Sequence, residues 1–509
     1  ETVISAPLAG NTAGRIAVRW SERDGYGYNT RNDRTIGERD DLLARGKLVL
    51  DLTDRLSVKI AADYNEITMG GNVVEVDSAT SNPVFEGTLA ALFGDTALTA
   101  DGFDYVVNQD HQDRLQDEQW GLSADVSYEI GAFTLRSITA TREWQSSTLE
   151  SSVRIPADIL PRATRYETQT VSQELQLLSP SGEAVEYLLG LFLYDEDYDI
   201  AQSFDAGADT CIPVVFALAG AAAAGACAAG PQTPAVASQF AQSLSSYAAF
   251  AQATFNVSER WSLTLGGRYT SEDKDGSFEQ QLLNPVIGSL FRAPESEPQL
   301  MVDDSAFTWL LNASFFPSDS VMLFATASSG FKGGGFNSEG AGTALGTNAR
   351  IFTAETSRNV ELGVKSELLN RRMTANVTAY HTTLDDFQDR SFDGISFITR
   401  NAGSRTQSGI EADIVYLASD RLRLIGGASY LDAEFDSFTA ASPLPGSSTP
   451  QDLGGTRPHY SPEWQGSLVA DWHDQLGSGD LDWSIRAEWQ YVGEQNIGGN
   501  TNNNPQSIE

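Results

Sequence analysis

Residues Leu481–Tyr491 read LDWSIRAEWQY, and the polarity of this segment alternates without a break. Leu, Trp, Ile, Ala, Trp and Tyr occupy the odd positions, whereas Asp, Ser, Arg, Glu and Gln occupy the even positions. Because side chains of a β-strand point alternately to its two faces, this period of two predicts a strand with one apolar and one polar face. A helix would spread the same apolar residues around its axis, so a helix fits this segment poorly.

The same alternation recurs upstream. It is clear in WSLTLGGRYT (Trp261–Thr270), and further apolar faces begin at Phe307, Met373 and Trp464. Two physical environments suit such strands. In a soluble antiparallel protein the apolar face meets a core. In a membrane barrel the apolar face meets lipid and the polar face lines a wet lumen.

Strand length and aromatic placement favour the membrane barrel. Several alternating segments exceed about ten residues, which is enough to cross a bilayer at a tilt, whereas soluble strands usually have about five or six. The apolar face that starts at Trp464 ends at Trp472, so aromatic residues lie at both of its ends. Trp and Tyr concentrate at the two interfaces of a membrane.

Short turns alternate with long connections along the chain, as in a barrel with short periplasmic turns and long outer loops. The long connections are rich in Asp, Gly, Ser and Asn. The predicted short turns are Leu52–Arg55, Glu129–Ala132, Pro180–Glu183, Val257–Arg260, Pro317–Asp319, Asn370–Arg371, Ser419–Asp420 and Gln475–Gly479.

Composition excludes some classes of protein. The 33 Lys and Arg against 69 Asp and Glu give a net charge of −36 in 509 residues, which argues against nucleic acid as a partner. Disorder is excluded because 41% of the residues are hydrophobic and 10% are aromatic. A chain this long exceeds one ordinary soluble core, but the length of a barrel scales with its number of strands.

The only cysteines, Cys211 and Cys227, lie close together in a long connection. They predict one loop disulfide in an oxidising compartment, with two free thiols as the alternative. The nearly apolar stretch Ile212–Gly230 between and beyond them is long enough for a membrane helix. It consists mostly of Ala and Gly and contains Pro213, so we expect a small-residue loop with at most a short helix.

Several strings, in order along the chain, resemble TonB-dependent outer-membrane receptors. They are DGYGYN (Asp24–Asn29), SQELQL (Ser172–Leu177), LTLGGRYT (Leu263–Thr270), LFATASSGFKGGGFN (Leu323–Asn337), ETSRNVELGVKSEL (Glu355–Leu368) and NAGSRTQSGIEADI (Asn401–Ile414). Each string alone is a weak signal, but together they cover most of the chain in the order that the family shows.

The resemblance implies an all-β fold: a large antiparallel transmembrane β-barrel that surrounds an N-terminal plug domain. The family barrel has 22 strands, whereas roughly 17 are visible in the alternation here. The TonB box, the plug and the last strands are not recognisable, so residues 1–509 are interpreted as the barrel domain of a longer receptor, truncated at both ends.

The same resemblance implies a non-enzymatic, multi-pass receptor in the bacterial outer membrane. It would be a monomer, surrounded by lipid and lipopolysaccharide, and powered by the TonB–ExbB–ExbD complex. Ferric siderophores are the ligands that the family imports most often. A receptor for a carbohydrate or another organic nutrient is the first alternative, and a passive porin or adhesin barrel is the second. No cofactor is expected.

Two segments carry side chains suited to ligand contact at the outer rim. The first predicted outer loop contains Tyr26, Tyr28 and Asn29, and the two tyrosine rings are expected to stack on a chelate or a sugar. The strand after the Pro317 turn rises outward, which places a second set near the rim, namely Phe331, Lys332, Phe336 and Asn337. Packing between loops is the alternative role for both sets. Lys332 precedes the glycine run, unlike the lysine of a phosphate-binding loop.

Charged residues on polar strand faces are expected to point into the lumen. The cations among them are Arg15, Arg19, Arg45, Lys47, Arg136, Arg268, Arg421 and Arg423. Contact with a plug or with water is favoured over a substrate path, because buried charges need partners.

Acidic residues cluster where one strand enters a long loop, at Asp195, Glu196, Asp197 and Asp199. Adjacent strand residues point to opposite faces, so this cluster is interpreted as an acidic rim bridged to lipopolysaccharide by divalent ions. No metal site is predicted. The four histidines lie outside any H-E-x-x-H motif, and no G-x-S-x-G elbow is evident, which agrees with a non-enzymatic protein.

Overall fold

The computed structural model describes residues 1–73, 91–92, 104–152, 155–340, 344–392, 396–441, 449–475, 477, 481–496 and 507–508. Its body is one antiparallel sheet of 18 strands, one more than the roughly 17 expected. The strands are β1 (Thr2–Ala9), β2 (Thr12–Arg23), β3 (Arg39–Thr53), β4 (Leu56–Met69), β5 (Arg114–Ile130), β6 (Phe133–Ser151), β7 (Pro161–Leu178), β8 (Val185–Phe204), β9 (Val236–Ser258), β10 (Trp261–Leu282), β11 (Glu295–Ser318), β12 (Val321–Lys332), β13 (Glu355–Leu368), β14 (Met373–Asp385), β15 (Ser404–Leu417), β16 (Leu422–Ser437), β17 (Trp464–Gln475) and β18 (Asp482–Val492).

Every strand pairs with the strands that precede and follow it in the chain. The sheet is therefore an up-and-down meander, which is the connectivity of a membrane barrel. In the described residues no ladder joins β1 to β18, and both of these edge strands are exposed throughout.

Short turns gather at one end of the meander and long connections at the other. The predicted short turns separate paired strands, although part of Gln475–Gly479 lies outside the described residues. A further tight turn at Gly10–Asn11 joins β1 to β2 and was not predicted. We call the opposite end the loop end; its connections span residues 24–38, 70–113, 152–160, 205–235, 283–294, 333–354, 386–403 and 438–463.

The alternation in the sequence separates two faces of the sheet. Large apolar side chains on one face are exposed, including Trp20 at 64%, Phe307 at 65% and Trp489 at 58%. An apolar surface of this extent is unstable in water and suits hydrocarbon, so we call it the lipid face. The opposite, lumen face carries ion pairs across strands, such as Arg136 with Asp125 at 2.8 Å between Nη2 and Oδ2.

Buried apolar residues concentrate at the loop end, because the wall itself is one sheet thick. One cluster combines the ends of β8–β11 with the loop between β12 and β13, at Ile200, Phe240, Phe278, Leu300 and Phe336. A second lies between three connections and a third beside β16. The loops thus have hydrophobic cores of their own, which hold them in place above the barrel.

The cysteine-bearing connection is more helical than expected. A π-helical turn (Thr210–Val215) leads into helix α1 (Phe216–Ala229), with a kink at Gly220. The buried Val215 and Cys227 anchor α1, and a disulfide joins Cys227 to Cys211, with 5.5 Å between their Cα atoms. Buried contacts and a covalent link stabilise helix in an Ala-rich and Gly-rich stretch that was expected to form mostly a loop.

Residues 210–229 form one helical stretch that is long and apolar enough to span a membrane by length and composition. Its surroundings argue against a span. The connection leaves the sheet at Phe204 and re-enters at Val236, and these two residues are directly paired. Both ends of the segment therefore lie at the same level, whereas a single crossing would place them on opposite sides of the bilayer.

Shorter elements complete the loop end. They are α2 (Pro285–Phe291), α3 (Gly346–Arg350) and the small strands Gly27–Asn29, Arg34–Ile36, Val106–Val107, Gly335–Phe336, Ile351–Phe352, Gln388–Phe392, Phe397–Asn401, Gln495–Asn496 and Ser507–Ile508. Asn284 caps α2 by accepting hydrogen bonds from the backbone of the first turn.

Candidate functional site

The first long loop forms a small sheet that presents two tyrosines. Gly27–Asn29 pairs with Arg34–Ile36 on one side and with Val106–Val107 on the other. Tyr26 and Tyr28 are 50% and 40% exposed, so both rings are available at the loop surface.

Neighbouring groups fix the orientation of these tyrosines. Tyr105 meets Tyr26 edge-on, with 6.0 Å between ring centroids, and the Arg23 guanidinium lies 5.3 Å from the Tyr26 ring. The Tyr28 hydroxyl donates a hydrogen bond to Asp33, and this bond to a carboxylate raises the pKa of Tyr28 above its ordinary value. Tyr28 therefore remains a neutral hydrogen-bond donor into the alkaline range.

The structure buries Asn29 completely, unlike its two aromatic neighbours. Its Nδ2 donates to the carbonyl of Gln109 at 2.8 Å, while its Oδ1 accepts from the backbone N–H groups of Gln109 and Arg31 at 3.2 and 3.1 Å. The side chain thus replaces a strand in bonding two loop segments. Both the oxygen and the nitrogen of its amide bond to the protein backbone, which gives it the packing role named above as the alternative to ligand contact.

The end of β12 and the glycine-rich segment after it also combine exposed and buried members of the predicted set. Phe331 and Lys332 end β12 and pair with Thr356 and Glu355, with Lys332 exposed. The next pair of predicted residues, Phe336 and Asn337, are only 7% and 4% exposed. Within this set Lys332 is the exposed side chain, whereas the structure gives Phe336 and Asn337 packing roles.

Asn337 ties two loops together. Its Oδ1 accepts from the backbone N–H of Thr399 at 2.7 Å and its Nδ2 donates to the carbonyl of the same residue at 3.0 Å. The glycines before it allow close approach of the backbone: a Cβ on Gly334 would lie 2.5 Å from the carbonyl oxygen of Phe352. This close contact explains the glycine at position 334 without any phosphate.

A buried ion pair fastens the same loop to β11. Arg350 is fully buried, and its Nη2 lies 2.7 Å from Oε2 of Glu295, which is 3% exposed by its side chain. The guanidinium also lies 3.5 Å from the ring centroid of Phe278 and donates to the carbonyls of Asn337 and Glu339. Nothing in the alternation of the sequence distinguishes this arginine from the many exposed ones.

Below these loops, aromatic side chains line the lumen face of β6–β8. Trp144 stacks on Tyr166 with 6.0 Å between ring centroids, and Tyr198 is the register neighbour of Thr168, which in turn faces Trp144. All three rings are half-buried. We call Trp144, Tyr166 and Tyr198 the aromatic wall.

Charged groups surround the aromatic wall in compensating pairs. Arg162 pairs with Glu150 at the loop end of β6 and β7, and Arg390 pairs with Glu339 at 2.9 Å between two loops. Glu339 and Arg390 are close enough to act electrostatically on the hydroxyl groups of the wall. The wall was not predicted from the sequence, although aromatic residues at polar-face positions near a strand end are a readable signal.

The acidic cluster of β8 divides between the two faces. The side chains of Asp195, Asp197 and Asp199 lie on the lipid face of β8, between the apolar band and the loop end. Glu196 points to the lumen face. Glu167 lies directly opposite Asp199, and a groove of about 560 Å³ opens beside Asp197. These carboxylates form an acidic strip on the outer wall near the loop end.

A group with metal-ligand chemistry lies in the loops around Asp110, His111 and Asp158, whose ligand atoms are all within 4.8 Å of one another. The sequence did not reveal it, because Asp110 and His111 lie in one connection and Asp158 lies in another. His111 Nε2 lies 2.6 Å from Asp158 Oδ1, and Asp110 pairs with Arg31 at 3.2 Å. Protein groups already partner each of the three side chains.

Comparison with known proteins gives the family. The sequence model described as "TonB dependent receptor-like, beta-barrel" matches residues 7–507. The chain is 24% identical over 210 residues to the ferrichrome outer membrane transporter/phage receptor of Escherichia coli K12, covering 41% of this chain and 23% of that protein. It is 28% identical over 185 residues to the metal-pseudopaline receptor CntO of Pseudomonas aeruginosa, covering 36% and 23% of the two chains.

Solved structures share the fold. The ferric yersiniabactin uptake receptor FyuA of Yersinia pestis aligns with a TM-score of 0.76 at 16% identity, covering 99% of this chain and 67% of that one. The siderophore receptor PiuA of Acinetobacter baumannii aligns with a TM-score of 0.69 at 12% identity, covering 97% and 69%. The alignments thus cover under a quarter of the curated relatives and about two thirds of these solved receptors. With its barrel model matched along almost the whole chain, the protein belongs to the TonB-dependent receptor family.

Proposed function

We propose that this chain is the barrel of an outer-membrane receptor that imports a ferric siderophore or a similar metal chelate. The observation that carries the proposal is the aromatic wall on the lumen face, which lies below loops held together by buried contacts. Flat rings stack on the aryl or chelate rings of such ligands. The relatives named above include receptors for ferrichrome, for a metal–pseudopaline complex and for ferric yersiniabactin.

The electrostatics of the wall suit a ligand of low net charge. Arg162 and Arg390 are each paired with a glutamate, so the wall offers polar groups without strong positive potential. With a net charge of −36, the chain disfavours strongly anionic chelates at long range. A carbohydrate or another organic nutrient is the second candidate ligand, because sugar rings stack on tryptophan and tyrosine equally well.

Family membership supports an orientation and a set of partners. We place the short turns in the periplasm and the long loops outside, so that the chain crosses the outer membrane once with each of the 18 barrel strands that the structure describes. Among the described residues the outer edges of β1 and β18 carry no ladder, which supports further strands that complete the barrel in a longer, monomeric receptor. In that receptor an N-terminal plug carries a TonB box, through which the TonB–ExbB–ExbD complex supplies energy.

The lipid face and the acidic strip support two further contacts. The apolar band would meet membrane lipid, and divalent cations would bridge the strip at Asp195, Asp197 and Asp199 to lipopolysaccharide phosphates. The family consists of transporters and receptors, so no enzymatic step is required of any residue described here.

Uptake of radiolabelled ferric chelates by cells with and without the full-length gene, under iron starvation, tests the proposal. Expression should raise uptake of at least one chelate, and loss of TonB should abolish the gain. Equal uptake with and without the gene for every chelate tried would refute the iron assignment. Uptake that persists without TonB would point to a passive porin instead.

Substitutions localise the binding site. Trp144→Ala in the full-length receptor should weaken chelate binding by about tenfold, since an aromatic contact contributes roughly 0.5–1.5 kcal/mol beyond its buried area. Trp309→Ala on the lipid face is the matched control and should leave affinity unchanged. Equal affinities of the two variants, measured by titration of purified receptor, would remove the aromatic wall from the site.

A further inference from the structure

Carboxylates and one histidine cluster where three connections of the loop end meet. Asp110 and His111 belong to residues 70–113 and Asp158 to residues 152–160, and their ligand atoms all lie within 4.8 Å of one another. We call these three residues the loop triad. Two further acids, from residues 205–235, lie beside it. Asp209 Oδ2 accepts a hydrogen bond from the backbone N–H of Asp158 at 3.0 Å, and Asp205 is close enough to interact electrostatically with the triad.

Buried neighbours hold Asp158 in place. Ala157 and Ile159, on either side of it, are 0% and 3% exposed and belong to a hydrophobic cluster of the loop end. The backbone N–H of Ala208 donates to Asp158 Oδ2 at 2.8 Å, and a Cβ on Gly207 would lie 2.1 Å from Asp158 Oδ1. Any side chain at position 207 would therefore displace this carboxylate. Support of a ligand by backbone groups around it is typical of metal sites.

The cluster carries more negative charge than the cations around it compensate. Arg31 pairs with Asp110 at 3.2 Å between Nε and Oδ1, but its side chain is 49% exposed, so water screens this pair. In the described ranges, Arg31 is the one arginine or lysine that forms an ion pair with Asp110, Asp158, Asp205 or Asp209. Neighbouring carboxylates repel one another. A cation between them would remove this repulsion.

Two buried oxygens next to these acids in the chain have no hydrogen-bond partner within the part of the protein that the structure describes. They are Oε1 of Gln109 and Oγ1 of Thr210, whose residues are 1% and 2% exposed. Gln109 precedes Asp110, and Thr210 follows Asp209. A buried oxygen without a partner is costly. A metal ion or the water bound to it would satisfy such oxygens, which is a second and independent indication of a ligand at this place.

The mixture of ligand types indicates which metal fits. Imidazole nitrogen suits zinc and its neighbours among the transition metals, whereas calcium takes six to eight oxygens. Tetrahedral zinc with bonds of 2.0–2.1 Å holds its ligand atoms about 3.3 Å apart. His111 Nε2 and Asp158 Oδ1 lie 2.6 Å apart, and the widest separation in the triad stays within 4.8 Å. Changes of about 1.5 Å or less in these separations would thus complete the geometry.

We propose that the loop triad binds a divalent transition metal of the zinc type, with Asp205 or a water molecule as the fourth ligand. The ion takes the place of the hydrogen bond between His111 and Asp158: Nε2 binds the metal, and the proton of the neutral ring resides on Nδ1. The bound ion links the connections 70–113 and 152–160, and through Asp205 it also reaches 205–235. It is a resident ion that stabilises the loops, so the inference does not depend on the ligand that the receptor imports.

Calorimetric titration of the purified full-length receptor with zinc chloride, after treatment with a chelator, tests the inference. His111→Ala should bind about one equivalent of zinc fewer than the wild type, because the imidazole ligand is lost. Asp158→Asn keeps the size of the side chain, removes its charge and should weaken the same site. Gly207→Ala should lower the affinity about 10-fold to 100-fold, which is the usual loss when the support of a metal ligand is disturbed.

A second histidine provides the matched control. His459 lies in another long connection, residues 438–463, and its ring meets Tyr460 edge-on. His459→Ala should therefore bind as much zinc as the wild type. Zinc should also slow hydrogen exchange in peptides from residues 104–113 and 155–160 of the wild type, but not in those of His111→Ala. Heat-modifiability on gels shows whether each variant retains the barrel.

Equal zinc stoichiometry and affinity of the wild type and His111→Ala would overturn the inference. Calcium that binds both proteins alike and excludes zinc would assign the carboxylates to a site built from oxygens alone, and would also overturn it. If His111→Ala does not retain the barrel, Asp110→Asn decides in its place, since this side chain is 28% exposed and its loss disturbs the fold least. Unchanged zinc binding by that variant would again contradict the site.

Discussion

Replacing Glu295 with glutamine tests whether a buried ion pair holds the loop of residues 333–354 in place. The carboxylate meets the fully buried Arg350 at 2.7 Å and accepts backbone hydrogen bonds from Leu345 and Gly346 at 3.2 and 3.1 Å. Glutamine keeps the size of the side chain but leaves the arginine without its counter-charge. Removing one partner of a buried pair costs about 3–5 kcal/mol.

For Glu295→Gln we expect a cost at the lower end of this range, about 3 kcal/mol. The guanidinium of Arg350 retains its contact with the Phe278 ring and its bonds to two carbonyls, so part of its stabilisation survives. A cost of about 3 kcal/mol raises the population of the open loop roughly 100-fold, at 1.4 kcal/mol per tenfold. The barrel ladders do not include this loop, and the thermal stability of the sheet should therefore stay unchanged.

Hydrogen exchange of peptides from residues 333–354, measured on receptor in detergent, reports this opening. Glu297→Gln is the matched control, because Glu297 contacts the described part of the same loop through the neutral Thr347 hydroxyl at 2.6 Å. Exchange should accelerate about 100-fold in Glu295→Gln and little in the control. Equal exchange in the two variants, or faster exchange throughout the strands, would refute the local clamp.

Three other substitutions address the faces, the disulfide and a loop tyrosine. Leu468→Arg on the lipid face should lower stability in bilayers by about 2–4 kcal/mol, whereas Ser467→Arg on the lumen face should change it little; urea unfolding in vesicles compares them. Cys211→Ser opens a loop closed over a separation of 16 residues, which removes about 3 kcal/mol of constraint, and limited proteolysis of residues 210–229 should accelerate. The hydrogen bond to Asp33 raises the pKa of Tyr28 above its ordinary value, so this bond persists below the raised pKa and is lost as pH rises through it. Ultraviolet titration should show that Asp33→Asn returns the pKa of Tyr28 to its ordinary range.

The strands and turns could be predicted because they depend on local pattern. The segment Leu481–Tyr491 alternates strictly, and β18 covers Asp482–Val492. The turn at Gly10–Asn11 was missed because it follows the start of the chain by only a few residues, with little alternation before it. Helix α1 was underestimated, since Ala and Gly carry weak local signals and the stabilising disulfide and core contacts are tertiary.

The candidate site could be predicted only in part. The sequence indicated which residues lie in loops, and Tyr26 and Tyr28 are indeed exposed there. It did not indicate that Asn29 and Asn337 are consumed by backbone hydrogen bonds, because their partners lie 80 and 62 residues away. The aromatic wall was not predicted, because the alternation places polar-face residues on the lumen side but does not indicate which of them lie side by side.

The strict pairing of each strand with its chain neighbours bears on how the barrel assembles. Contacts between adjacent hairpins require short loop closures, and topologies rich in local contacts fold faster than those with distant pairings. Each new hairpin can therefore add to the edge left by the previous one as the chain enters the membrane. The strand pairing that closes the barrel must involve the edge of β1, and it cannot form in this stepwise manner. Closure of the barrel is therefore expected to be the slow and error-prone step of biogenesis. Until it occurs, that edge presents unpaired backbone groups, and chaperones that cap strand edges would act there.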